Sequence, residues 1–158
     1  MHALGAVGPK LGAFLRLDGA DKVLLVRALT TLTATKVALL VLPLRTAERL
    51  LVHRARNGAQ PGDSAALVDR HVWAIETASS VLPRGSNCLL RALALETMLA
   101  RHGIATTRRM GFSRTDQGDV EGHAWLTLGD RVLSGEVSDL WRFGAPPPGR
   151  EGCGHEAS

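Results

Sequence analysis

Apolar residues occupy almost every side of the run from Val23 to Leu42, "VLLVRALTTLTATKVALLVL", whose length suits a long helix. Its two charges, Arg27 and Lys36, stand nine positions apart, and at about 100° per residue they leave on opposite sides of the wheel. Without a clean polar face, the run predicts a helix covered partly by the protein body and partly by a partner or a membrane surface. An ordinary buried helix explains the pattern equally well. A bilayer span is not expected, because each charge would cost about 2.5–3.5 kcal/mol near the membrane centre.

After Pro43, "PLRTAERLLVHRARNG" continues as a basic helix that Gly58 can close, and "NGAQPGDS" predicts a linker. Ser64 can cap a third helix over Ala65 to Leu82, where Val68, Val72, Ile75 and Leu82 keep helical spacing before Pro83. "PRGSN" is then a turn. Ser86 or Asn87 can cap the next helix, which carries Leu89, Ala92, Leu93, Leu95 and Leu99 on one broad face and stops at Gly103. Thr106 to Phe112 predicts a strand and "SRTDQGD" a polar loop. "VEGHAWLTLGDRVLSGE" alternates as a hairpin about Gly129 and Asp130. The resulting organisation is an N-terminal helical extension over 1–57, a linker over 58–64, an α+β core over 65–143 and a disordered tail over 144–158.

Composition narrows the function. The chain has 158 residues, of which 45% are apolar, enough for one compact core. Its 19 Lys and Arg against 15 Asp and Glu give a net charge of +4, but the basic residues are scattered. With 4% aromatics and no Tyr there are few stacking platforms, so nucleic acid is not expected as a partner. Two cysteines, Cys88 and Cys153, do not make a secreted disulfide framework. The first 22 residues, interrupted by Lys10, Arg16 and Asp18, lack a signal-peptide profile. A cytoplasmic protein is expected.

The chemistry centres on Cys88, in the first turn of its helix, where unpaired backbone N–H groups and the positive end of the macrodipole favour a thiolate. A small apolar packing residue is the competing reading. His123 is the best-placed base, opening the strand "HAWLTL" and sharing a face with Trp125 and Thr127. His53, His71 and His102 have ordinary surface surroundings by the pattern, and His2 and His155 lie at the ends. If Gly129 and Asp130 form a two-residue loop, uninterrupted pairing sets His123 opposite Glu136. That carboxylate can orient the imidazole, completing a nucleophile, base and orienter set. A slip of one residue would substitute Gly135. A metal centre from Cys88, His123, Cys153 and His155 lacks paired ligand spacing, so neither metal nor other cofactor is expected.

The strings "SNCLLRALALETMLARHGI" and "GDVEGHAWLTLGDRVLSGE" resemble the leader peptidase of lasso peptide biosynthesis, a cysteine protease of the transglutaminase-like superfamily. The run "LLVRALTTLTATKVALLVLPLRTAERLLV" is similar to the helical region before the protease core in stand-alone members. The resemblance implies a papain/transglutaminase-like core in which the Cys-bearing helix packs on a small antiparallel sheet bearing the His. It implies Cys88 as nucleophile, His123 as general base and acid, and the Cys88 backbone N–H as an oxyanion donor. The family's third residue is usually an Asp at the position held here by Gly135, so Glu136 is the replacement, with Asp130 and Asp119 as alternatives. The resemblance also implies three partners: a precursor peptide, a separate leader-recognition protein and an ATP-using lasso cyclase. Two rival readings share the residues: an acyl transferase working through the same thioester, and a non-catalytic escort of the precursor.

Overall fold

A computed structural model describes residues 17–53, 65–82, 87–114, 118–135 and 143. Helix α1 spans Gly19–Val41; the side chain of Asp18 caps it by accepting the N–H of Ala20. It stops one residue short of the pattern because Leu42 precedes Pro43, whose ring pushes it into extended geometry at φ −119° and ψ 148°. As far as it is described, to His53, the predicted second helix is less regular. Leu44–Glu48 forms α2, and Arg49–His53 widens into one turn of π-helix. The linker at 58–64 and the tail at 144–158 lie outside the described residues.

Helix α3 covers Ala65–Ser79 and α4 covers Cys88–Ala100. Strands β1 (Thr107–Arg114), β2 (Val120–Leu128) and β3 (Arg131–Ser134) form one antiparallel sheet with β2 in the middle. Ser113 and Arg114, expected in the polar loop, extend β1 instead. Helix α4 is buried on all sides from Ala92 to Ala100, rather than on one face, because α1, α3 and the sheet enclose it. Leu25, Ala28 and Leu32 of α1 join Ile75, Leu95, Leu99, Leu126 and Leu133 in that core. By length and composition α1 is apolar enough to cross a membrane, and a third of its most apolar stretch is buried in the protein. Val23, Val26, Val37, Leu40 and Val41 remain exposed on it.

His71 corrects the sequence expectation of a surface histidine, for it is only 7% exposed. It falls three residues after Val68 and four before Ile75, on the inward stripe of α3. Its Nδ1 lies 2.8 Å from the Leu67 carbonyl, which can only accept, so Nδ1 carries the proton. Burial holds its pKa below the ordinary 6.5; His102, Arg70 and Arg27 push the same way, and the Leu67 bond opposes them. A histidine with a depressed folded pKa leaves the unfolded chain binding more protons. Its neutral form therefore supports the fold fully above pH 6.5, and that support drains away as pH falls below it. Thermal melts from about pH 7.5 to 5 should show wild type losing stability more steeply than His71→Gln, the difference reaching at most about 1.4 kcal/mol per pH unit. Parallel curves would refute the assignment.

Candidate active site

The Asn87 side chain caps α4 by accepting the Leu90 N–H at 2.8 Å, which fixes Cys88 in the first turn and partly exposed. Its Sγ accepts the backbone N–H of Ala124 at 3.3 Å. Among the described residues the β2–β3 pairing reaches only Leu126 and Ser134, short of Ala124. The sulfur thus meets a backbone donor on the strand and sits at the positive end of a 13-residue helix. Both features set positive potential at the sulfur.

His123 directly precedes that donor. Its Nε2 lies 2.6 Å from the carbonyl oxygen of Gly135. A carbonyl only accepts, so Nε2 carries the hydrogen, and Nδ1 is the basic nitrogen of the neutral ring. The ring is held flat on Trp125, with centroids 6.3 Å apart and planes 18° apart, and meets Phe143 at 5.2 Å. Trp125 shares the face of His123, as strand alternation requires. Gly111 pairs with His123 across β1 and β2. A methyl group at Gly111 would collide with the Phe143 carbonyl oxygen, so only glycine lets the Phe143 backbone cross β1 there and deliver its ring to His123.

Two sequence expectations about the third residue meet different outcomes. Gly129 and Asp130 do form the two-residue loop, with Leu128 opposite Arg131 and Thr127 opposite Val132. The next pair is Leu126 with Ser134, however, so Leu133 is an extra residue and the pairing slips by one. Uninterrupted register, the premise that set Glu136 opposite His123, is therefore corrected. Glu136 itself lies outside the described residues. Asp130 sits at the exposed loop tip and Asp119 on the exposed approach to β2.

A model of the transglutaminase-like superfamily matches residues 29–145. The chain belongs to the transglutaminase-like superfamily. Its mixed α+β core, with the Cys-bearing helix against a three-stranded antiparallel sheet and an N-terminal helix alongside, is consistent with that membership. Transglutaminase-like domains are commonly cysteine proteases or acyl transferases, whose shared chemistry is attack by a thiolate and passage through a thioester. No curated protein and no solved structure matches the chain.

Sequence reasoning missed the groups around this transglutaminase-like Cys–His pair that act through backbone or through distant parts of the chain. The Ala124 N–H and the Gly135 carbonyl carry no side-chain signature. Glu76 of α3 accepts Arg91 at 2.9 Å and Ser134 at 3.3 Å, joining the Cys88 helix to the end of β3. Glu76 is a half-buried residue on the flank of α3 beside buried Ile75, and nothing local names its partners. Phe143, the last large apolar residue before a Gly- and Pro-rich stretch, carried a similar faint mark.

Proposed function

We propose that the protein is a cysteine peptidase that removes the leader peptide from a ribosomally made lasso precursor. The observation that carries this reading is the seat of the Cys88 sulfur, at a helix tip and on the N–H next to His123. His123 Nδ1 takes the thiol proton as Sγ attacks the scissile carbonyl carbon, giving a tetrahedral oxyanion that accepts a hydrogen bond donated by the Cys88 N–H. Nδ1 then returns that proton to the leaving amine, which departs as the free amino terminus of the core peptide. The thioester left on Cys88 is attacked by water, one proton passing to Nδ1; collapse expels the sulfur, which recovers that proton from Nδ1 as the thiol, and frees the leader acid, which gives its remaining proton to solvent. No metal or cofactor enters these steps.

The similarity of "SNCLLRALAL" and "HAWLTL" to lasso leader peptidases supports the substrate class, and with it a leader-recognition protein, a cyclase and cytoplasmic residence. Exposed Val23, Val26, Val37, Leu40 and Val41 of α1 are in keeping with a partner on that side. Mass spectrometry of a precursor incubated with the protein and its leader-recognition partner tests the reading. Free leader acid and free core amine are expected. A leader joined to an amine would favour the acyl transferase.

A further inference from the structure

We propose that the backbone carbonyl of Gly135 does the work that a carboxylate does in the usual Cys–His–Asp set, holding the His123 ring with Nδ1 free for the thiol. The proposal rests on the peptidase reading and adds the positioning group to it. Three independent features aim that carbonyl. Gly135 is buried and has a φ of +81°, a left-handed conformation that side-chain-bearing residues rarely adopt. A Cβ at this position would drive into the carbonyl oxygen of Ala124 and press on Trp125 Cα at 3.0 Å, so the backbone lies flush against β2 just past His123. The extra residue Leu133 turns β3, and the Ser134 hydroxyl is tethered to Glu76, which also holds Arg91 one turn beyond Cys88.

The same features exclude the usual residue. An aspartate at 135 would need the strained φ and the occupied Cβ space together, so its carboxylate could not replace the carbonyl at 2.6 Å without moving the strand. A carbonyl fixes the tautomer as a carboxylate does, but it has no proton to gain or lose. The third member therefore contributes no ionisation to the pH dependence of the reaction. Gly135 is a positioning residue: it acts on the substrate only through the ring it holds.

Nitrogen-15 NMR of histidine-labelled protein reads the ring directly, and steady-state cleavage of the precursor reads its consequence. In wild type, His123 should be the Nε2–H tautomer with a downfield Nε2 proton. Glu136→Gln should keep that signature, keep kcat/KM within about threefold, and leave the pH–rate profile unmoved. Gly135→Ala should shift the signature and lower kcat by about 10²-fold with little change in KM, since a misplaced base is felt in the transition state. Should Gly135→Ala not fold, the wild-type tautomer and the Glu136→Gln profile still decide. An Nδ1–H tautomer in wild type, or a Glu136→Gln variant with a large kcat loss and a moved profile, would overturn the proposal while cleavage by wild type keeps the peptidase reading. A wild-type protein that cleaves no precursor would unseat both.

Discussion

Replacing Cys88 by alanine should lower kcat/KM for precursor cleavage by about 10³-fold or more, with the fold intact. Alanine suits the first turn of α4 at least as well as cysteine, and the Asn87 cap does not use the sulfur. What disappears is the atom that forms the thioester, together with its bond from the Ala124 N–H. His123→Ala should be of similar size, because the group that takes the thiol proton goes with it. The two losses should not add: without sulfur there is no proton for Nδ1 to move, so the double variant should match Cys88→Ala. Liquid chromatography with mass spectrometry gives the rates, and a thermal melt beside each assay separates lost chemistry from lost structure. Full cleavage by Cys88→Ala would leave the escort reading standing and remove the peptidase.

The parts of this site that were legible in the sequence share one property: each is set by residues close together in the chain. Asn87 before an apolar run announces a helix start with Cys88 in its first turn, and Gly129–Asp130 between alternating strands announces a two-residue hairpin loop. The register farther out was not legible. The extra residue at Leu133 depends on how β3 leaves the sheet to meet α3 and α4, which "RVLSGE" alone does not encode. His71 shows a different limit. Its spacing from Val68 and Ile75 marked it as inward, but its polarity argued for the surface, and packing decided the contest. The Gly135 carbonyl was beyond reach of either argument, since a backbone acceptor is available at every residue and only the three-dimensional path selects one.

The largest stability effect is expected at Arg108, for the same reason that its role was hard to read: its partners come from two other elements. Its guanidinium meets Glu48 of α2 at 2.8 Å and Glu96 of α4 at 3.1 Å, and the Arg108 and Glu96 side chains are only 12% and 10% exposed. Glu96 interrupts "ALALETMLA" in the middle of a helix buried on all sides, and a carboxylate there requires a cation brought by the fold. Arg108→Ala removes that cation and leaves two carboxylates facing each other across a largely dry site. Breaking such a pair from one side costs about 3–5 kcal/mol, and at roughly 2–4 °C per kcal/mol for a chain of this size the melting temperature should fall by roughly 10 °C. Arg108→Met combined with Glu96→Leu should recover most of the loss, because apolar packing of similar volume takes the place of both charges. The order Arg108→Ala below the double variant is the decisive result, read by thermal or urea melts. If Arg108→Ala melts with wild type, the cluster contributes nothing, and burial of Leu93, Leu95 and Leu99 alone holds α4 and its cysteine against the sheet.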